Sequence, residues 1–556
     1  MKKNWWHEAV VYQIYPRSFK DSGADGIGDL TGIIEKLDYL AGLGINTIWL
    51  CPIFTSPMVD NGYDISDYRD INPEFGTLAD LERLIAEADT RGIKILLDLV
   101  LNHTSDQHPW FQAALHDPQN PCRDFYIFRR GKDGGPPNNW RSYFGGSAWE
   151  QVGDGEYYLH LFTKEQPDLN WENPRMRHEL YDMIHFWMNK GVTGFRIDAI
   201  CNIKKEQSFA SLPPDESDGL ANPVSSCVIM PGIEKFLGEM RDEVFKPRNA
   251  FTVAEAAGVT PEKLAAFIGP NGFFSTIFDF SYTDIDIIKG GGIWYKRRDF
   301  TVKELRGAIF KNQQETSEVG FAAPYLENHD QNRSTNKYLA ADERTFEGKT
   351  MLAILYFFLQ GIPFVYQGQE LGVENYPWHS LDEFNDVATF DQYERAIRAG
   401  YSKEKALEIV AHRSRDNSRI PMMWSAEAKN AGFSAAAPWL PIHPDYAVIC
   451  VDVQEKDPAS VLSFYKKMIT LRKAHSTLFF AGTITPRFLE SEDIVSYERK
   501  GENELALIIC NFSAKTNTVT VRNGIIWLGN IREAETYVCG QCTLAPFEAL
   551  VIGCNT

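Results

Sequence analysis

Eight short apolar runs, rich in β-branched and aromatic residues, recur along the first 366 residues, and helical stretches such as Leu30–Leu43, Leu78–Arg91 and Arg175–Lys190 follow most of them. Strands that alternate with helices pair in parallel, and eight such units close into a (β/α)8 barrel, the TIM barrel. An open, doubly wound α/β sheet is the alternative, but the Gly-x-Gly-x-x-Gly turn that would support it follows none of these runs. The predicted barrel strands are Ala9–Tyr15, Thr47–Leu50, Lys94–Val100, Gly194–Asp198, Phe251–Ala254, Thr276–Phe280, Phe321–Leu326 and Phe364–Tyr366.

Two segments interrupt this alternation of strands and helices, and residues 483–556 do not continue it. Residues 104–170, between the third and fourth strands, are rich in Pro, Gly, Asn, Trp and Tyr, and a connection of that length predicts an inserted subdomain. Residues 367–425 form a loop-rich excursion after strand eight, so the barrel is predicted to comprise residues 1–103 and 171–482. Residues 483–556 have the alternating pattern and polar turns of an antiparallel β-sandwich domain. Its predicted strands include Ile494–Arg499, Glu504–Asn511, Thr518–Arg522 and Phe547–Ile552.

Charge and apolar content limit the classes of partner. The chain carries 56 basic and 75 acidic residues, a formal charge of −19, which argues against a nucleic acid or an anionic membrane as a partner. The most apolar run, Met351–Leu359, is too short to span a bilayer, and the first eight residues lack the apolar segment of a secretory signal. Nine scattered cysteines, an odd number in a large chain, predict reduced thiols and a cytoplasmic protein.

The fourth predicted strand carries Arg196 and Asp198 two positions apart, so both side chains project from one face. A cation beside a carboxylate lowers the pKa of the acid and keeps it ionised. An ionised acid at the C-terminal end of a barrel strand is typical of a nucleophile or a ligand. An ordinary buried ion pair is the alternative interpretation.

Acids and histidines also follow three other predicted strands. The third strand runs out at His103, the fifth at Glu255 and the seventh at His329 and Asp330. Because barrel strands all end at one mouth, these side chains and Asp198 are predicted to converge there. A metal site is the weaker interpretation, since no pair of histidines has i, i+4 spacing near an acid.

Two carboxyl groups in different environments are what glycosidic cleavage needs, one ionised to attack the anomeric carbon and one protonated to release the leaving oxygen. Asp198, beside Arg196, is the candidate for the ionised group. Glu255 has three alanines near it in sequence, and an apolar setting would raise its pKa, as a general acid requires. Asp330 would bind sugar hydroxyls and favour the positively charged transition state. A retaining enzyme would hold Asp198 and Glu255 about 5–5.5 Å apart.

In this order, Asp98–His103, Gly194–Asp198, Glu255 and Asn328–Asp330 resemble the four signature regions of the α-amylase superfamily, glycoside hydrolase family 13. The resemblance extends from Trp5 to the C-terminus, and within the superfamily the chain is most similar to bacterial oligo-1,6-glucosidases and related α-glucosidases. Those enzymes have a barrel, an inserted subdomain after strand three and a C-terminal β domain.

The resemblance implies Asp198 as nucleophile, Glu255 as acid/base and Asp330 as transition-state stabiliser. It also implies that six side chains hold the terminal glucose, namely Asp60, Tyr63, His103, Arg196, His329 and Arg415. Phe162 and Phe144, in the inserted subdomain, are predicted walls of the pocket, with plain packing as the alternative for each.

The loop from Asp21 to Asp29 carries carboxylates at every fourth residue among glycines, which can wrap a hard cation with oxygen ligands. The resemblance implies a structural calcium (or magnesium) ion here, held by Asp21, Asp25, the carbonyl of Ile27 and Asp29. The chain departs from the family pattern because Gly23 stands where an Asn is usual. A plain acidic turn is the alternative, and no cofactor is expected for catalysis.

The choice of glycosidic bond is left open. The resemblance associates Val directly after the nucleophile with α-1,6 cleavage and smaller side chains or Thr with α-1,4 or mixed preference, and Ala199 stands there. Ala257 replaces the Trp or Pro that is frequent two residues after the acid/base, which widens the first aglycone subsite. The inserted subdomain and the excursion should narrow the mouth into a pocket. The chain is therefore predicted to be an exo-acting, retaining α-glucosidase for short oligosaccharides with α-1,6 or α-1,4 linkages, working as a monomer.

Three alternatives share the scaffold. A glucosyl transferase or sucrose isomerase would use the same glucosyl-enzyme, but the Arg- and Asp-rich loop of such isomerases is replaced here by Ile288-Lys289-Gly290-Gly291-Gly292. Trehalose-6-phosphate hydrolysis calls for a cationic phosphate site that the sequence does not identify. A non-catalytic partner of a membrane transporter would show a membrane anchor and altered acids, and this sequence shows neither.

Overall fold

The computed structural model describes residues 4–153, 155–288 and 292–554. Its main sheets are a parallel barrel sheet, a small antiparallel sheet in the inserted segment and a C-terminal antiparallel sheet. In chain order the strands are β1 Val11–Ile14, β2 Thr47–Leu50, β3 Phe54–Thr55, β4 Asp67–Ile71, β5 Lys94–Val100, β6 Phe128–Arg130, β7 Trp149–Gly153, β8 Glu156–Leu159, β9 Gly194–Asp198, β10 Phe251–Ala254, β11 Thr276–Ile277, β12 Phe364–Tyr366, β13 Thr483–Arg487, β14 Ile494–Lys500, β15 Leu505–Asn511, β16 Asn517–Gly529, β17 Tyr537–Leu544 and β18 Ala549–Cys554.

The helices lie mainly between the barrel strands and in the excursion. In chain order they are α1 Leu30–Glu35, α2 Leu37–Leu43, α3 Leu78–Thr90, α4 Pro109–His116, α5 Pro174–Asn189, α6 Val224–Cys227, α7 Ile233–Met240, α8 Pro261–Ile268, α9 Val302–Ser317, α10 Ser334–Tyr338, α11 Phe346–Phe357, α12 Val387–Arg398, α13 Lys403–Arg413, α14 Asp416–Arg419, α15 Tyr446–Ile449, α16 Val451–Gln454, α17 Val461–Ala474 and α18 Ser476–Ala481. The helix predicted over Leu30–Leu43 is interrupted at Lys36, whose backbone leaves the helical region. No helix in the described ranges is both long and apolar enough to cross a bilayer.

The barrel strands pair in parallel in the order β11-β10-β9-β5-β2-β1-β12. The predicted seventh strand, Phe321–Leu326, is not a regular strand in the described chain. The carbonyls of Ala322 and Pro324 accept hydrogen bonds from the N–H groups of Ile362 and Phe364. On the other side, Thr276 Oγ1 donates to the carbonyl of Phe321 at 2.7 Å. Pro324 lacks the N–H that a continuous ladder of hydrogen bonds would need, so the seventh strand position of the TIM barrel is irregular.

Side chains alternate between the inside of the barrel and the layer under the helices. Val11, Trp49 and Leu96 belong to a cluster inside the barrel, whereas Tyr12 and Ile48, one residue removed, pack in the larger core beneath the helices. The inward positions nearer the C-terminal ends of β5 and β9 are polar, because the same period of two places Asp98, Arg196 and Asp198 there. The candidate functional site is therefore continuous with the apolar cluster inside the barrel.

The inserted segment, 104–170, contains α4 and a three-stranded antiparallel sheet in the order β6-β8-β7. Trp140, Trp149 and Leu159 are the centre of its own apolar cluster, to which Phe209 of a following loop also belongs. In the excursion after β12, α12 and α13 form an antiparallel pair beside the barrel mouth. Both segments stand over the C-terminal ends of the barrel strands.

The C-terminal strands form one antiparallel sheet in the order β13-β14-β15-β18-β16-β17, rather than the predicted sandwich of two sheets. One face of the sheet packs on α11, where Tyr497 Oη donates to the carbonyl of Leu355 at 3.0 Å. The other face has its own cluster, in which Ile494 and Leu507 join Val538 and Leu544 of the far edge strand. Strands this far apart meet because bulges in β16 make the sheet curl over itself.

Candidate active site

Arg196 is at the centre of a buried cluster of acids at the end of β9. Its Nη1 donates to Asp198 Oδ1 at 2.7 Å and to Asp98 Oδ1 at 2.9 Å, and its Nη2 donates to Glu255 Oε2 at 2.6 Å. Because β9 lies between β5 and β10 in the sheet, acids from both neighbouring strands reach its inward-pointing guanidinium. One cation therefore serves three carboxyl groups.

Asp98 is a member of this cluster that the sequence prediction did not assign a role. It lies directly opposite Arg196 in the β5–β9 register, and it accepts further hydrogen bonds from Trp49 Nε1 at 3.2 Å and Tyr63 Oη at 3.0 Å. The period-two alternation that places Arg196 inward would also have identified Asp98. Its side chain completes the floor of the site and fixes the guanidinium.

The pKa of Asp198 is not shifted as predicted. Arg196 was expected to lower it, but burial raises the pKa of Asp198 well above its ordinary value, and the neighbouring Glu255 and Asp98 carboxylates add to burial while Arg196 opposes them. Burial is the largest cause, and the shared cation does not offset it, since one guanidinium serves three acids. The titration of this cluster therefore belongs to the coupled acids together rather than to Asp198 alone.

Glu255, at the end of β10, has a polar setting instead of the predicted apolar one. Its Oε2 accepts from Arg196 and, at 3.2 Å, from the N–H of Ala199. Ala199 adopts a positive φ of 41°, an unfavourable conformation for a residue with a Cβ, which turns its N–H toward the glutamate. The Glu255 side chain is 27% exposed, so it reaches the open cavity. Asp198 and Glu255, held by the same guanidinium, thus lie side by side at one wall.

Asp330 is held by three cationic or ring groups. His329 Nε2 lies 3.0 Å from its Oδ2, and Arg415 Nη1 and Arg419 Nη2 lie 3.2 and 3.1 Å from its Oδ1. Burial alone would raise the pKa of Asp330, but His329 and the two guanidinium groups outweigh it and hold this pKa well below its usual range. Asp330 is therefore an anion at every pH where the protein is expected to work.

Asp60 and Asp386 orient Arg415. Its Nη2 lies 3.3 Å from Asp60 Oδ1, and both Nε and Nη2 donate to Asp386 Oδ1 at 2.9 and 2.7 Å. Burial raises the pKa of Asp60 to about 6, against the effect of Arg415. Arg415 thus connects Asp60, in the loop between β3 and β4, with Asp330 and with the excursion.

Tyr63, His103 and Phe162 form the remaining wall predicted to hold sugar. The Tyr63 ring stacks on His329 with centroids 5.4 Å apart, and its Oη lies 2.6 Å from His329 Nε2. His103 Nε2 lies 3.1 Å from the carbonyl of Tyr63, and burial lowers its pKa to about 4, so the ring is neutral above that pH. The Phe162 ring lies 4.9 Å from His103.

The predicted residues line one cavity of about 370 Å³. Arg196 and His329 lie behind its wall and act on it through their neighbours, whereas Phe144, Ala257 and Trp294 belong to the wall itself. The cavity is lined by three acids and the predicted sugar-contacting side chains, Asp198, Glu255, Asp330, Asp60, Tyr63, His103, Phe162 and Arg415. Three carboxyl groups can therefore act on one sugar ring.

Three further residues of the site have no signal in the sequence. Gln166 donates to Asp60 Oδ2 at 3.2 Å and lies 3.1 Å from His103 Nε2, Arg419 contacts Asp330, and Asp386 holds Arg415. They lie in the inserted segment and the excursion, where neither strand periodicity nor a strand end marks a position. Tertiary folding alone brings them to the cavity.

The acidic loop of Asp21 to Asp29 is well satisfied by its own donors. Asp21 accepts from the N–H groups of Ala24 and Gly26, and Asp29 accepts from those of Ser22, Gly23 and Gly32. One oxygen each of Asp21, Asp25 and Asp29 lies 3.7–4.0 Å from the point that a Gly23 Cβ would occupy. In the described chain these oxygens do not all lie within 4.8 Å of one another, so they converge more loosely than around a bound ion. The metal at this loop stays a prediction.

Comparison with known proteins gives matches over the whole chain. The family model described as alpha amylase, catalytic domain, matches residues 13–481. The oligo-1,6-glucosidase of Parageobacillus thermoglucosidasius is 42% identical over 560 residues, with 99% of each chain covered. The trehalose-6-phosphate hydrolase of Bacillus subtilis (strain 168) is 38% identical over 561 residues, with 98% of each covered. A mutant isomaltulose synthase from Erwinia rhapontici NX5, solved with its natural substrate sucrose, is 38% identical with a TM-score of 0.94 and full coverage of both chains.

Proposed function

Because this chain belongs to the alpha-amylase family of glycoside hydrolases, we propose that it is an exo-acting, retaining α-glucosidase that removes the terminal α-linked glucose from short oligosaccharides. The observation that carries this proposal is the Arg196 guanidinium shared by Asp198 and Glu255. It holds the proposed nucleophile and the proposed proton donor side by side at one wall of the cavity, as double displacement requires.

In the first step Asp198 attacks the anomeric carbon and forms a glucosyl ester, while Glu255 gives its proton to the leaving glycosidic oxygen. In the second step the Glu255 carboxylate takes a proton from water, whose oxygen displaces Asp198 and leaves glucose with the α configuration. Arg196 keeps one of its acids anionic as the proton moves to and from the other. Asp330, held anionic by Arg415 and Arg419, favours the positive charge that develops on the sugar ring.

The terminal glucose is proposed to lie against Tyr63 and His103, with Asp60 and Arg415 at its hydroxyl groups. The neutral imidazole of His103 suits a hydroxyl partner, because it can donate and accept without carrying charge. The aromatic ring of Tyr63 offers a flat apolar surface to one face of the sugar. The end of the cavity that these four side chains line would bind a single glucose ring, which supports removal of one terminal glucose at a time.

Linkage is proposed from relatives and from the aglycone side of the cavity. The relative from Parageobacillus thermoglucosidasius is an oligo-1,6-glucosidase, and Ala257 belongs to the cavity wall next to Glu255. Small side chains there leave room for the flexible α-1,6 bond, so isomaltose-type sugars are proposed as substrates, with α-1,4 cleavage as a second activity.

The deciding experiment incubates the pure protein with isomaltose, maltose, sucrose and trehalose and follows the products by NMR, which distinguishes the anomers. We expect α-glucose from isomaltose as the first product, with maltose slower. Asp198→Asn should lower kcat by at least about 10⁴-fold while leaving the circular dichroism spectrum and Tm unchanged. First-formed β-glucose, or full activity of Asp198→Asn, would contradict the mechanism.

Sucrose isomerisation is the second candidate, because the isomaltulose synthase shares the fold over the full chain with a TM-score of 0.94. In this chain Lys289, Gly290 and Gly291 of the predicted discriminating loop lie outside the described residues. The sucrose arm of the same experiment separates the two functions, since isomerisation gives a disaccharide product and hydrolysis gives glucose and fructose.

The proposal further places the enzyme in the cytoplasm as a monomer that binds neither nucleic acid nor membrane. Its nine cysteines are free thiols in the structure, which suits a reducing compartment. The acidic balance of the chain supports the absence of polyanionic partners. Light scattering after gel filtration would measure the mass directly, with 63.2 kDa expected for one chain.

A further inference from the structure

A second cavity of about 320 Å³ adjoins the catalytic one. Tyr143 and Gly292 line both cavities, so the two are neighbours. The second cavity is bounded by charged side chains that take no part in the proposed chemistry, among them Arg141, Glu216 and Arg395.

These charges form a partly buried ion-pair network. Arg141 Nη2 lies 2.8 Å from Asp215 Oδ1 and 2.8 Å from Asp218 Oδ1, and Arg395 Nη2 pairs with Glu216. Each of the two arginine side chains is 6% exposed. Ion pairs removed from water to this degree are screened less than surface pairs and hold their partners more firmly.

The network connects three separate parts of the chain. Arg141 belongs to the inserted segment, and backbone hydrogen bonds join this segment to the loop that carries Glu216. The N–H of Arg141 donates to the carbonyl of Ala221 at 2.8 Å, and the N–H of Ala221 donates to the carbonyl of Asn139 at 2.9 Å. Arg395 belongs to α12 in the excursion. The pair of Glu216 and Arg395 therefore ties the inserted segment and its loop to α12.

A close backbone approach accompanies this ion pair. A Cβ at Gly145 of the inserted segment would lie 2.0 Å from Asp391 Oδ1 of α12, and Gly145 has a φ of +96°. Asp391 in turn lies 3.6 Å from Arg395 Nη1. The inserted segment at Gly145 and the loop at Glu216 thus each contact α12, and the positive φ at Gly145 favours glycine there.

The same two elements are walls of the catalytic cavity. Tyr143 and Phe144 line it from the inserted segment, and Ala388 and Gln392 line it from α12. We propose that Arg141, Glu216 and Arg395 form an ion-pair clamp across the mouth that limits the length of the aglycone, so that this enzyme favours di- and trisaccharides over longer α-1,6-linked glucose chains. The proposal rests on the proposed α-glucosidase function and assigns its preference for chain length.

The test compares kcat/KM for isomaltose with kcat/KM for isomaltohexaose in the wild type, Glu216→Gln and Arg395→Met. Opening the clamp should raise the ratio of long to short substrate by about fivefold and leave isomaltose hydrolysis essentially unchanged. Arg123→Met is the matched control, because it removes an ion pair with Glu156 that lies inside the inserted segment and spans no gap. That control should leave the ratio at the wild-type value.

An unchanged ratio in both folded variants would overturn the clamp, and an equal rise in Arg123→Met would show a general loosening instead of a clamp. If calorimetry shows that both variants unfold, Glu216→Asp, which keeps the charge but retracts the carboxylate from Arg395 by one methylene, is assayed in their place. A higher ratio in Glu216→Asp then supports the clamp, and an unchanged ratio overturns it. If the wild type does not hydrolyse isomaltose, the proposed α-glucosidase function is itself refuted.

Discussion

At the scale of single residues, the site is organised by an imbalance of charge around Arg196. Asp98, Asp198 and Glu255 all accept hydrogen bonds from this one guanidinium. Burial and the crowding of acids raise the pKa of Asp198, and the proposed acid/base pair needs one carboxyl group to be anionic while its neighbour is protonated. A second set around Asp330 has the opposite balance, since His329, Arg415 and Arg419 surround one acid. In the proposed mechanism the two sets divide the work of proton transfer and charge stabilisation.

Protonation of the Asp60 carboxylate should lower the activity at acid pH. Burial raises its pKa to about 6, so the carboxylate that contacts Arg415 is present above that pH and is lost as the pH falls through it. We expect kcat/KM for isomaltose to fall on the acid side with an apparent pKa near 6. Asp60→Asn should abolish that limb and lower kcat/KM about 10- to 100-fold, the effect of losing one hydrogen bond to a charged group.

The measurement is a pH profile of kcat/KM between pH 4 and 9 for both proteins, with Asp198 and Glu255 unchanged in each. His103 titrates at the acid end of this range and not near pH 6, because burial lowers its pKa to about 4. An acid limb near 6 that persists in Asp60→Asn would assign it to the Arg196 cluster and contradict this prediction.

At the scale of secondary-structure elements, β9 can bring its acids together because its first residue has no side chain. A Cβ at Gly194 would lie 2.1 Å from the carbonyl oxygen of Phe251 in β10 and 2.8 Å from Leu96 Cδ2 in β5. The three strands are thus drawn close at their start, which fixes the register that places Arg196 opposite Asp98 and beside Val253.

Gly194→Ala should therefore destabilise the fold and impair catalysis together. We expect a loss of about 3 kcal/mol in the free energy of unfolding, as for overpacked cores, and a fall in kcat because β9 and β10 separate. Gly307→Ala, in the middle of α9, is the matched control: a Cβ there meets nothing within 4 Å, so stability should stay equal or rise by up to about 1 kcal/mol. Urea titrations with parallel assays check both variants, and a fully stable, active Gly194→Ala would refute the packing argument.

The loop of Asp21 to Asp29 has a separate prediction at this scale. Three carboxylate oxygens point toward one position, and a cation there would relieve their mutual repulsion. Calcium should raise the Tm of protein that has been dialysed against EDTA, with a stabilisation of about 2.7 kcal/mol at 100 times Kd. Asp25→Asn should abolish the shift, because Asp25 provides one of these oxygens while an Asn side chain can still accept from the N–H of Ile27. Identical Tm values in EDTA and in calcium would identify a plain acidic turn.

At the scale of the whole molecule, the C-terminal sheet is joined to the barrel by buried arginines. Arg499 of β14 donates to the carbonyls of Phe358, Phe479 and Gly482, at 2.7, 2.9 and 2.7 Å. Arg306 of α9 donates in the reverse direction, to the carbonyls of Leu489 and Ser491 before β14 and to that of Ile494 at its start. Carbonyl groups so deeply buried have these guanidinium groups in place of water, which couples the two domains.

Arg499→Met should consequently lower the stability of the whole chain by about 3 kcal/mol, since several buried carbonyls lose their donor. Arg487→Met, which removes a partly exposed pair with Glu498 in the same sheet, should change stability by less than about 0.5 kcal/mol. Differential scanning calorimetry is the measurement. A single transition shifted to lower temperature is expected for Arg499→Met, whereas a separate early transition of the C-terminal sheet alone would show that the domains are independent.

The sequence by itself determined the barrel and the positions of its three acids. Repeated strand and helix patterns admit few packings, and parallel strands that close into a barrel deliver Asp198, Glu255 and Asp330 to one edge whatever the loops do. The irregular seventh strand and the curled C-terminal sheet departed from expectation, because Pro324 and the bulges of β16 act on pairing between strands rather than on the pattern within one.

Only the tertiary structure decided how those acids are charged and what surrounds them. The pKa of Asp198 depends on how many carboxyl groups share Arg196, and that number is set by strand order and burial. Asp386 beside Arg415, and Glu216 beside Arg395, come from segments 29 and 179 residues apart. Such contacts have no period or spacing in the sequence, because they form only when separate segments of the chain pack together at the barrel mouth.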